Sequence, residues 1–236
     1  MSGWDILVLD KSDSMFKNKN DLINGFNNLV SEQKAEKSTN LFTVITFNDT
    51  VELLKEETFP NVSEIRDSDI ITKGSTALLD AVGEVYDTIL NNDKYTKITL
   101  TVITDGQENS SKNYTIETLN EKKKTIDLKY TLNVVFIGAD ISCITKNEFN
   151  THASQSVDCS GNIQEALRIA SRTMSSGRDG IQYIPEGIVD SNPITPLVMK
   201  RSCSSANERP LVMKRSCSSA NERPPKVKRC KTFCDS

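Results

Sequence analysis

The sequence predicts an α/β domain with a doubly wound, mostly parallel sheet, one antiparallel edge strand and helices on both faces. Three observations predict it. Short apolar runs alternate with segments whose apolar residues recur at helical spacing, the pattern of strands joined by crossover helices. The first run, Ile6-Leu7-Val8-Leu9, stops abruptly at Asp10-Lys11-Ser12-Asp13-Ser14, an acidic, hydroxyl-rich loop. From about Asp179 onward the apolar periodicity is lost. The chain of 236 residues therefore divides into a globular part, 1–178, and a tail, 179–236.

Each element has its own signal. Ile6 to Leu9 reads as a buried strand of a parallel sheet. Asn20 to Lys34 reads as a helix, with Leu22, Ile23, Phe26, Leu29 and Val30 on one face. Leu41 to Phe47 is rich in β-branched and aromatic residues and reads as a strand. Asn48-Asp49 then turns the chain into Thr50 to Leu54, so the third strand is expected at an antiparallel edge. Phe59 to Ile71 reads as a connection holding one helical turn. Lys73-Gly74-Ser75-Thr76 reads as a glycine loop opening a helix whose apolar face is Leu78, Leu79, Val82, Val85, Tyr86 and Ile89. Ile98 to Thr104 is the next strand, stopping at Asp105-Gly106. Tyr114 to Leu128 reads as a charged surface helix, and Leu132 to Gly138 as a buried strand. Ile144 to His152 is expected as a short helix, Gln155 to Cys159 as a last edge strand, and Ile163 to Met174 as a final amphipathic helix.

The tail differs in kind. Pro196 to Arg209 recurs unchanged as Pro210 to Arg223, and a third, degraded copy follows. Ten cations against three anions from Pro196 onward leave the tail near +7. Of the total of −3, the rest of the chain then carries about −10. So short and polar a repeat does not bury enough surface to offset chain entropy, and the tail is expected to be disordered. Lys226, Lys228 and Arg229 resemble a basic nuclear-import signal, with a solubilising tail as the equal alternative. The weak net charge argues against nucleic-acid binding through the folded part. No secretory leader or membrane span is read. Two cysteines, Cys143 and Cys159, fall in the globular part and are expected as small buried hydrophobes. The other four lie in the tail, so a reducing, intracellular setting is expected, cytoplasmic or nuclear. His152 is the only histidine, which leaves little material for a histidine-based zinc site or triad.

Candidate chemistry collects at strand ends, where ligands bind in open α/β sheets. Asp10, Ser12 and Ser14 end the first strand, Thr76 lies in the glycine loop, and Asp105 ends the central strand. If the first and fourth strands are neighbours, these five oxygen-bearing side chains meet. Hard oxygen donors suit Mg²⁺, Mn²⁺ or Ca²⁺ rather than zinc or copper. Asp80 is expected on a helix face or behind the ligands, Glu108 and Asn109 as solvated loop residues.

Asp10-x-Ser12-x-Ser14, Gly74-Ser75-Thr76 and Thr104-Asp105-Gly106 resemble the DxSxS, threonine and aspartate motifs of von Willebrand factor type A domains. The resemblance spans roughly residues 3–177. It implies a Rossmann-like sheet and a metal-ion-dependent adhesion site made of Asp10, Ser12, Ser14, Thr76 and Asp105. It also implies protein binding without catalysis, with a partner's Asp or Glu completing the shell of Mg²⁺, Mn²⁺ or Ca²⁺. Asp13 departs from the glycine many members carry there, and would either shift metal preference or face solvent. Two other functions compete with this one. A metal-dependent phosphatase would use Asp10 as phosphoryl acceptor, but Ser12 stands where its second acid belongs. A scaffold with a vestigial site would bind partners regardless of metal.

Overall fold

The computed structural model describes residues 3–105, 107–138, 155–159 and 161–179. At its centre lies β1 (Trp4–Asp10), every residue of which is buried. It pairs in parallel with β2 (Leu41–Phe47) on one side and with β4 (Lys97–Thr104) on the other. A strand buried on both faces needs the near-continuous apolar run that Ile6 to Leu9 supplies. The full order is β3-β2-β1-β4-β5-β6, with β3 (Val51–Thr58), β5 (Thr131–Gly138) and β6 (Gln155–Asp158). All pairs are parallel except β2 with β3, the hairpin expected from Asn48-Asp49.

Helices cover both faces. Alternation along β1 sends Leu7 and Leu9 toward α1 (Lys19–Ala35) and α4 (Ile163–Asp179), where they pack with Phe26, Leu29, Leu167 and Met174. Ile6 and Val8 face α2 (Leu78–Leu90) and α3 (Ile116–Lys129), packing with Val82, Val85, Tyr86, Leu119 and Ile126. On the first face the helices touch closely, because a Cβ on Gly25 of α1 would lie 2.7 Å from Leu167. No helix among the described residues is long and apolar enough to cross a membrane.

Several boundaries differ from the sequence reading: β3 runs on to Thr58, past Leu54, and α4 to Asp179, past Met174. The connection after β3 holds two 3₁₀ turns, Phe59–Asn61 and Asp67–Asp69, rather than one helical turn. α3 begins at Ile116, not Tyr114. The Tyr114 amide donates to the Asp80 carboxylate, and Thr115 takes the capping position, its hydroxyl accepting from the Thr118 amide. The helix expected at 144–152, the Cys143 thiol, Gly106 and the tail beyond residue 179 lie outside the described residues.

Candidate functional site

The topology brings the carboxyl ends of β1 and β4 side by side, with Leu9 registered against Ile103. β1 therefore delivers Asp10, and β4 delivers Thr104 and Asp105, to one point at the top of the sheet. Asp10 is fully buried. Its Oδ1 accepts the Ser12 amide at 2.7 Å, which bends the chain out of the strand, and its Oδ2 accepts the Thr104 hydroxyl at 2.5 Å. A 3₁₀ turn, Asp13–Asn18, follows and is pinned by the buried Met15. It carries Ser14 to Asp105, where the hydroxyl donates to Oδ1 at 2.5 Å. The Asn18 side-chain Nδ2 donates to the other oxygen of Asp105 at 3.0 Å.

The direction of these bonds is fixed by chemistry. An ionised carboxylate only accepts, so the Ser14 proton is committed to Asp105. Ser12 and Ser14 lie 3.0 Å apart, oxygen to oxygen, so Ser12 is the donor of that pair. The protons of Ser14 and Thr104 go to carboxylates and that of Ser12 goes to Ser14, and lone pairs are what remain. Such an arrangement suits a cation.

The glycine loop closes against this corner. Gly74 adopts φ of 77°, and a Cβ there would lie 2.6 Å from the Asp49 carboxylate. The Asp13 amide donates to the Gly74 carbonyl at 3.0 Å, and the Gly74 amide returns a bond to Asp13 Oδ1 at 3.1 Å. Asp13 thus ties two loops together. Thr76 is 3% exposed, and its hydroxyl makes no hydrogen bond to a protein group among the described residues. Its amide donates to Asn109 Oδ1, and its carbonyl accepts the Asn109 amide.

Asn109 is exposed, as expected of a loop residue, yet it is tied to the Thr76 backbone, and Glu108 is half-buried and does more than face solvent. Glu108 accepts from the Leu79 amide, from the Ser110 and Ser111 amides and from the Ser111 hydroxyl, so it caps α2 from a distant loop. A carboxylate suits a helix N-terminus, where amides and dipole both favour negative charge. Asp80 is buried and returns the tie by accepting the amides of Lys112, Asn113 and Tyr114. It acts through the backbone of the third loop, as its place on the helix suggested. Sequence reading missed Thr104 and Asn18, which hold the carboxylates. Thr104 had one visible signal, its place directly before Asp105 at a strand end.

Electrostatics leave the corner short of positive charge. Burial raises the Asp10 pKa above the ordinary carboxylate range, bonds from Thr104 and Ser12 oppose that, and the charge of Asp105 adds to it. Lys11, the residue between Asp10 and Ser12, turns away to Glu52 on β3 at 2.6 Å. Among the described residues no lysine or arginine forms an ion pair with Asp10 or Asp105. Nor do three or more His, Cys, Asp or Glu among them form a metal-binding group. An ion at this corner would have to draw on hydroxyls. Cys159 is half-buried against the core, and burial pushes its thiol up to about 11, a value for an inert thiol.

No family model and no curated protein sequence matches the chain. Solved structures do. The ArnB paralog VWA2 from Sulfolobus acidocaldarius superposes with a TM-score of 0.53 at 16% identity, over 72% of this chain and 45% of that one. The vWF domain of the type V pili tip protein Mfa5 from Porphyromonas gingivalis gives 0.56 at 9% identity, over 78% of this chain and 97% of that one. A point mutant of the PilB minor pilin from Streptococcus sanguinis gives 0.58 at 10% identity, over 76% and 62%. The chain spans less than half of the Sulfolobus protein and under two thirds of the pilin. Likeness at these identities speaks for the fold alone: the chain has the fold of von Willebrand factor type A domains.

Proposed function

We propose that the chain is a divalent-cation-dependent protein-binding module that works inside the cell. Asp10, Ser12, Ser14, Thr76 and Asp105 hold Mg²⁺, with Mn²⁺ or Ca²⁺ as alternatives, and an Asp or Glu of a partner protein completes the shell. The observation that carries this reading is the corner itself. Two carboxylates from neighbouring strands share a line of hydroxyls, with no basic side chain paired to them among the described residues. Two charged ligands balance a divalent ion without overcompensating it, and Mg²⁺ commonly keeps coordination positions for outside oxygen ligands or water. The ion's contribution is to convert a negative corner into a receptor for an acid. The module is a binder rather than a phosphoryl-transfer enzyme, because Ser12 occupies the place of the required second acid. The intracellular setting rests on the distribution of the cysteines.

The test is retrieval of partners from cell extract by the full chain, in Mg²⁺ and in EDTA, beside Asp10→Ala. Partners held in Mg²⁺ and lost in both EDTA and the variant are expected. Equal retrieval under all three conditions would identify a scaffold with a vestigial site.

A further inference from the structure

The two carboxylates of the corner are held in different ways. Asp10 is buried, and the Thr104 hydroxyl grips it from the neighbouring strand. Asp105 lies just past the end of β4, is half-buried, and acts on Asp10 as a like charge. Repulsion between the two would turn Asp105 out into water. Among the described residues two side chains hold it back. Ser14 donates to Oδ1 and is itself a proposed ligand; Asn18 donates to Oδ2 at 3.0 Å and is not. Asn18 is well placed for that task. It ends the 3₁₀ turn Asp13–Asn18 and leads into α1, between two buried anchors, Met15 and Leu22. Asparagine at a helix start ordinarily bonds the nearby backbone. This one makes no capping bond, and its Nδ2 reaches across to a residue 87 positions away. Its chemistry fits as well. An amide donor is neutral, so it fixes the carboxylate without cancelling the charge that a cation needs. A lysine there would hold Asp105 too, but would neutralise it.

We propose that Asn18 is a positioning residue: it holds Asp105 in the corner against the charge of Asp10 and so sets the affinity of the site for a divalent cation. It acts through Asp105 and gives the ion no lone pair of its own. The inference rests on the cation reading of the corner.

The test titrates Mn²⁺ alone into the full chain and reads the free ion by electron paramagnetic resonance, with a thermal melt of each protein in EDTA beside it. Asn18→Leu should bind Mn²⁺ about ten-fold or more weakly than the parent, the scale seen when the partner of a metal ligand is removed. Its melt in EDTA should stay close to that of the parent, since the freed Asp105 can turn to water. Asn18→Lys should move the two readouts in opposite directions. Its ammonium pairs with Asp105, so the protein should melt in EDTA at or above the parent temperature while Mn²⁺ binding is lost. A residue that merely supports the fold would not separate stability from affinity in this way. The inference is overturned, and the cation reading left standing, if either variant binds Mn²⁺ as tightly as the parent. Should Asn18→Leu fail to fold, Asn18→Lys decides alone. A parent chain that leaves the free Mn²⁺ signal unchanged removes the cation reading and this inference with it.

Discussion

Asp10→Asn should reverse its stability rank when a divalent ion is added. The side chain is fully buried and faces Asp105 with no basic partner, so in EDTA at pH 8 its charge opposes folding. Asparagine has the same shape. It keeps an acceptor for the Ser12 amide, and the Thr104 hydroxyl can turn to accept from the new amide group. In EDTA the variant should therefore equal or exceed the parent in stability. With ion at a hundred times its dissociation constant, the parent should gain about 2.7 kcal/mol and the variant almost nothing. For a domain of this size that is a rise of roughly 5–10 °C for the parent alone. Thermal melts of both proteins in EDTA, Mg²⁺ and Mn²⁺ provide the assay. A variant far less stable than the parent in EDTA, or one with an equal metal-induced rise, would refute the reasoning.

Two further outcomes probe what holds the fold. Asp5 is buried on β1 and accepts from the Asn40 side chain at 2.8 Å; burial pushes its pKa from 3.8 to about 7, and the Asn40 bond and the charge of Arg178 oppose that rise. A raised carboxyl pKa contributes stability fully below about pH 3.8 and loses it as pH climbs through about 7, an effect of up to about 4 kcal/mol. Asp5→Asn should thus gain on the parent between pH 5 and pH 8 in urea unfolding, and a pH-independent difference between the two would count against it. Gly83 on α2 lies under the Tyr114 ring, where a Cβ would sit 2.3 Å from the nearest ring atom. That ring is held by a 2.6 Å bond from its hydroxyl to Asp87. Gly83→Ala should cost about 2–3 kcal/mol, and a Tyr114→Ala background should remove most of the penalty in a double-mutant cycle.

The elements were legible where burial acts through period. β1 needs a continuous apolar run because sheet and helices enclose it, and such a run stands out in sequence. Asp10, Ser12, Ser14 and Asp105 were legible because they sit at strand ends, and the β1–β4 pairing that joins them follows from the doubly wound order. Glu108, Asn109 and Asp80 act between a helix start and a loop some thirty residues away. A polar residue in a loop has no periodicity to reveal its target, so Glu108 looked solvated while it was capping α2. The 3₁₀ turn Asp13–Asn18 is too short for a periodic apolar signal, so nothing in the sequence says that Met15 takes the core position and leaves Phe16 outside.

The proton directions at the corner also decide how steep the metal dependence should be. Ser12, Ser14 and Thr104 spend their protons on one another or on Asp10 and Asp105, so these hydroxyls have none to offer a visiting carboxylate. An acid approaching the bare corner meets lone pairs and two negative charges. Repulsion then opposes recognition, and of the five proposed ligands only the Thr76 hydroxyl keeps a proton to offer. On the proposed cation reading, the ion would supply most of the attraction, so partner binding through this corner should depend steeply on metal, and retrieval that is unchanged in EDTA would refute it.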